Sequence, residues 1–141
     1  MRTKFKINGR RGGFQLLFAF IYVFVGVSFI TAPESSSRVA ALGYLDGLHI
    51  PIAPLAALWL VSACIATVSA FLCRPKDWIG FSALVFAPAV WGALFLIGIA
   101  FGGPILGLVS AAIYWAFGAT SMIVSGMQGE FDRDARKTRE P

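Results

Sequence analysis

The sequence predicts an all-α, polytopic membrane protein with four transmembrane helices and both termini on the cytoplasmic side. Three observations predict it. First, the stretch from Trp78 to Gly129 contains no Asp, Glu, Lys, Arg or His. A membrane crossing takes roughly 20 apolar residues, so this run is too long for one span and about right for two. Second, 57% of the 141 residues are hydrophobic and only 13% are charged, about half the usual charged share of a soluble domain. Mean hydropathy is correspondingly high, at +0.75. Third, most of the charges fall in the first eleven and last twelve residues. The division that follows is a basic N-terminus at 1–13, a membrane domain at 14–128 and a charged tail at 129–141.

The first element is an unbroken apolar run at 14–32, after Arg2, Lys4, Lys6, Arg10 and Arg11. A basic start before an apolar run resembles a signal peptide. Pro33 and the bulky Ile30 do not suit a cleavage site, and more apolar runs follow, so the run reads as a retained span. Phe14, Phe18, Phe20, Tyr22, Phe24 and Phe29 make it aromatic, with Gly26 as its close-packing point. Between 33 and 50 lies the one extended loop. Glu34, Ser35, Ser36 and Ser37 can cap a short helix there. Val39, Leu42, Leu45 and Leu48 give that helix an apolar side for the headgroup plane, weakened by Gly43 and Gly47. His49 reads as a solvated or headgroup-facing residue.

The second span, 51–73, opens on Pro51 and Pro54, where a first helical turn tolerates proline. Ala56, Ala63, Ala66, Ala70 and Cys73 form a small-residue face that lets another helix approach. A short connection, Arg74-Pro75-Lys76-Asp77, leads to Trp78 at the membrane boundary. The third span, 78–101, contains Pro88, which removes a backbone hydrogen bond and predicts a kink. Gly98 and Gly102 close it, before a turn at Phe101-Gly102-Gly103-Pro104. In the fourth span, 104–127, the residues Gly107, Ala111, Tyr114, Gly118, Ser121 and Ser125 share one helix face. That face reads as a helix–helix seam and, more sharply, as a pore or oligomer face. The tail beyond it alternates in sign, which predicts a solvated segment or a frayed extension of the fourth helix.

Orientation follows from charge. Lys and Arg number five before the first span, one in the first loop, two in the second, none in the third and four in the tail. Four spans put 11 of the 12 on one side, and the positive-inside rule makes that side cytoplasmic. The net charge of +5 is thereby assigned to topology and anionic lipid, not to nucleic acid. Cys64 and Cys73 fall on opposite faces of one helix and cannot bridge within it. No cysteine or histidine spacing suits a metal, no nucleophile motif or phosphate-binding glycine loop is present, and no cofactor is expected. The spans hold no ionisable group of the kind that coupled transporters place inside the membrane. Their hydroxyls are expected to bond back to their own helices. No catalytic residue is assigned, and the chain is read as not an enzyme.

A set of local patterns adds a resemblance. They are the Arg-rich start; Tyr22-x-x-x-Gly26; the outer loop with Tyr44-Leu45; Trp59; Arg74-Pro75-Lys76-Asp77-Trp78-x-Gly80-Phe81; Pro88-x-x-Trp91-Gly92; and Val124-Ser125-Gly126-Met127 before the tail. In this order they resemble small four-span membrane proteins encoded by phages of actinobacteria, over most of the chain. Such proteins often lie near lysis or tail genes, and some are regarded as holin-like. The resemblance implies residence in the bacterial host's inner membrane and, for the holin-like members, self-association into a lesion. The candidate packing and self-association residues are Gly98, Gly102, Gly107, Ala111, Tyr114, Gly118, Ser121 and Ser125. Expected partners are the lipid bilayer, further copies of the chain, and a protein held by the charged tail. The alternatives are a non-enzymatic membrane interaction or assembly protein and, more remotely, a small channel or transporter subunit.

Overall fold

A computed structural model describes residues 9–32, 36–72 and 76–137, with side-chain detail for all of them except 37, 38 and 127–137. Among the described residues the regular structure is all helical: α1 (Gly9–Ile30), α2 (Ser37–Ala40), α3 (Tyr44–Gly47), α4 (Ile52–Ser69), α5 (Trp78–Ala100) and α6 (Leu106–Lys137). Four stretches are long and apolar enough to cross a membrane: Gly9–Ile30, Ile52–Ser69, Trp78–Ala100 and Leu106–Gly126. The expectations for Arg2, Lys4, Lys6, Glu34, Ser35, Cys73, Arg74 and Pro75, and for the tail side chains, lie outside the described residues.

α1 starts at Gly9, ahead of the apolar run. That extension sets the register of the whole inner face. Arg11, Gln15, Phe18 and Tyr22 then follow spacings of four, three and four, so all four fall on one side of the helix. α4 begins after Pro51, whose extended backbone (φ −69°, ψ 141°) suits the residue before a first turn. It ends at Ser69, where Phe71 and Leu72 take tighter bonds to the carbonyls of Val68 and Ser69. α5 is continuous through Pro88. α6 carries on as helix to Lys137, so the start of the tail extends the last span.

α1 packs on α4, α4 on α5 and α5 on α6. The core is built from rings. Tyr22 meets Trp59 edge-on at 4.7 Å, Trp59 lies 5.2 Å from Tyr114, Tyr114 lies 5.7 Å from Phe95, and Phe29 lies 4.2 Å from Trp91. Each of these pairs joins two different helices. Lipid tails are as apolar as the rings, so close packing and hydrogen bonding, not hydrophobicity, favour such contacts in a bilayer. The small residues expected on α4 make this possible: Ala56, Ala63, Ala66 and Ala70 are all buried.

Pro88 has a specific consequence. It has no N–H to donate to the carbonyl four residues back, which belongs to Leu84. The Tyr22 hydroxyl donates to that Leu84 carbonyl instead. A carbonyl left unpaired in an apolar layer is unfavourable, so α1 repairs the gap that proline leaves in α5.

The outer connection is two helical turns, α2 and α3, folded onto the bundle. Ser36 caps α2 by accepting from the Val39 N–H, as expected of the serine run. Leu42 and Leu45 are buried in the main core, while Leu48 stays exposed. Tyr44 donates to the Leu94 carbonyl at 3.0 Å and stacks on Phe101 with ring planes 7° apart. Burial raises the Tyr44 hydroxyl pKa and keeps it a donor. α3 ends in a Schellman turn: His49 and Ile50 donate to the carbonyls of Asp46 and Leu45, and His49 adopts φ +55°.

Candidate functional site

Asp77 ends the α4–α5 connection and is 97% buried, at 3% relative exposure. A buried carboxylate requires a partner, and the extended α1 supplies one. Arg11 Nε donates to Asp77 Oδ2 at 2.6 Å, with the two side chains 11% and 4% exposed. The same guanidinium donates from Nη1 to the Ser125 carbonyl of α6 at 2.8 Å. Its Cζ also lies over the Phe81 ring of α5, 4.5 Å from the ring centre and within cation–π range.

A second layer lies one turn further in. Gln15 Nε2 donates to the Asp77 carbonyl at 2.9 Å, and the Ser69 hydroxyl donates to the same oxygen at 3.1 Å. Ser69 in turn accepts from the Gly80 N–H at 3.1 Å, relieving one unpaired donor at the start of α5. Gly80 has to be glycine: a Cβ there would stand 2.6 Å from Ser69 Cβ and 2.7 Å from Gln15 Nε2. Arg11, Gln15, Ser69, Asp77, Gly80 and Ser125 thus form a polar latch. It fastens α1, the end of α4, the start of α5 and the last membrane turn of α6 at one end of the bundle.

The candidate packing residues fall into two groups. Gly98 and Gly102 form the outer turn. A Cβ on Gly98 would overlap the Ala41 carbonyl oxygen, so Gly98 is where the outer connection rests on α5. Gly102 (φ +87°) closes α5 in a second Schellman turn, with Gly103 donating to the Gly98 carbonyl at 2.9 Å. The other group is the α6 face. Gly107 lies against Ile99, and a Cβ on Gly118 would stand 3.7 Å from the Pro88 ring and the Val85 carbonyl. Ala111, Tyr114 and Ser121, on the same face, are also buried. Ser125 ends the row at the latch. The face is therefore a seam between α6 and α5 within one chain. Ser121 and Ser125 bond back to the carbonyls of Phe117 and Met122, as expected of membrane hydroxyls.

Sequence reasoning missed the latch, because Arg11 was counted with the basic flank and Asp77 with the connection. A signal was present. Asp77 is the one acid among seven Lys and Arg at 1–13 and 74–77, and it borders the charge-free run. Among the described residues no group of three His, Cys, Asp or Glu could hold a metal, and Cys64 is exposed on the outside of α4. No protein-family model matches the chain, and no curated protein or solved structure shows significant similarity to it.

Proposed function

We propose that this chain is a small, non-enzymatic membrane protein that acts through associations made by its outer surface and ends. The observation that carries the reading is the filled interior. Tyr22, Trp59, Trp91 and Phe95 are completely or almost completely buried, and rings from all four spans meet there. The ion pair described in the molecule, Arg11–Asp77, sits at one end and is committed to holding helices together. Coupled transport calls for an ionisable group along the path, and a core of interlocked rings provides no such path. What remains for partners is the lipid-facing surface and the polar ends. The basic end is placed on the cytoplasmic side by the positive-inside rule.

The more specific form of this reading is holin-like self-association in a bacterial inner membrane. It draws on the resemblance to phage-encoded four-span proteins. Because the α6 seam is occupied by α5, copies would meet through outward faces such as Phe20 and Phe24 of α1 or Ile113 and Met122 of α6, all exposed. Inducible expression in a bacterial host, with membrane potential and culture density recorded, tests the form. Collapse of the potential at a defined membrane density is expected; intact potential and sustained growth at high expression would sink it. If the protein instead works by capturing a partner through its tail, deleting 130–141 abolishes capture and leaves insertion intact.

A further inference from the structure

We propose that the lateral groove between α5 and α6 at the basic end binds an anionic phospholipid of the adjoining leaflet. The groove has a volume of about 500 Å³ and runs along α5 from Trp78 past Ser82 and Phe86 to Ala89, with Met122 of α6 opposite and Arg11 at its mouth. Eleven helical steps from Trp78 to Ala89 span roughly 16 Å at 1.5 Å each. One leaflet of a hydrocarbon core about 30 Å thick is about 15 Å deep. The groove is therefore one acyl chain long.

Its openings agree with this occupant. Trp78, Phe86 and Met122 are 63%, 58% and 61% exposed, so the groove opens sideways into the membrane and not into the bundle. Its walls are apolar along most of their length. Of the polar groups, Arg11 and Ser125 with the Trp78 indole gather at the headgroup end, where tryptophan and arginine suit the interface, and Ser82 lies one helical turn further in. Charge decides the headgroup. The Asp77 carboxylate is turned inward onto Arg11, whereas Arg10 and Lys76, the sequence neighbours of that pair, are exposed. An exposed cation near the surface attracts anionic lipid by about 1 kcal/mol, roughly fivefold in affinity. A phosphoglycerol-type headgroup, with its net negative charge, is favoured over a zwitterionic choline headgroup.

The full-length chain, purified in mild detergent with equal amounts of phosphatidylglycerol and phosphatidylcholine, supplies the test through native mass spectrometry of retained lipid. Retention of phosphatidylglycerol over phosphatidylcholine by at least roughly fivefold is expected. Arg10→Gln with Lys76→Gln should erase that preference. Ala89→Trp, which fills the groove, should abolish retention, whereas Val68→Trp on the exposed side of α4 should not. Equal retention of both lipids, or unchanged retention in Ala89→Trp, would overturn the proposal. Photoreactive phosphatidylglycerol on the unaltered chain gives a readout independent of how the variants fold. Labelling of peptides containing Phe86 or Met122 supports the site, and labelling confined to other helices overturns it.

Discussion

Asp77 carries its charge at the point where α5 enters the apolar layer, and Arg11 faces it at 2.6 Å. Neither group is tolerable there alone, because removing one partner of a buried pair leaves an uncompensated charge. Asp77→Asn is expected to destabilise the bundle by about 3 kcal/mol, read from denaturant unfolding in detergent micelles. The paired change Arg11→Met with Asp77→Asn should recover much of that loss, and strictly additive costs would show that the two side chains do not interact. Arg11→Lys should be intermediate, since an ammonium lacks the planar fork that reaches both Asp77 and Ser125. His49 offers a separate test. Its left-handed backbone costs an L-residue about 1–2 kcal/mol, so His49→Gly should leave the melting temperature unchanged or raised. A β-branched valine there should lower it. Neither role was legible in residue type alone. Arg11 looked like one of a run of topogenic cations until the helix was carried back to Gly9, and His49 reads as a surface residue whatever its backbone does.

Within the helices, Pro88 and Tyr22 act as one unit. Tyr22→Phe removes the donor to the Leu84 carbonyl and is expected to cost about 1 kcal/mol, in line with polar contacts between membrane helices. In a Pro88→Ala background the helix can restore its own N–H to that carbonyl. The cost of Tyr22→Phe should then shrink toward zero, and an equal cost in both backgrounds would refute the coupling. At the outer end, Gly98→Ala pushes against the Ala41 backbone carbonyl, which cannot rotate away as a side chain could. A loss of about 2 kcal/mol is expected from such overpacking, together with faster amide exchange over residues 41–45. Much at this scale could be read in advance. Small residues at helical spacing on α4 and α6 mark faces that pack closely, and those faces are buried. Which helix covers each face could not be read, because a stripe of Gly and Ala accepts any close neighbour. The outer connection could not be read for a related reason. Its leucine spacing suited a headgroup surface and a protein surface equally well, and the space above Gly98 decided for the protein.

Across the whole molecule, the chain is two packed pairs, α1 with α4 and α5 with α6, joined along α4 and α5. The latch closes them at one end and the Tyr44–Leu94 contact holds the outer connection at the other. The number of apolar spans was legible because hydrophobic length is imposed by the bilayer, whatever the fold. Helix arrangement was not, since it depends on ring contacts among residues far apart in the chain. Under the function proposed above, the small-residue face of α6 is satisfied inside one chain and partners meet the outer surface. Its most direct test is disulfide trapping of Ile99→Cys with Gly107→Cys, in a background where Cys64 and Cys73 are alanine. A Cβ at 107 would stand 3.3 Å from the Ile99 side chain, close enough for a bond after small adjustment. Oxidation in native membranes should give a cross-linked product that still runs at monomer mass. Products appearing only at dimer mass or above would rule this packing out and return the α6 face to the surface between copies.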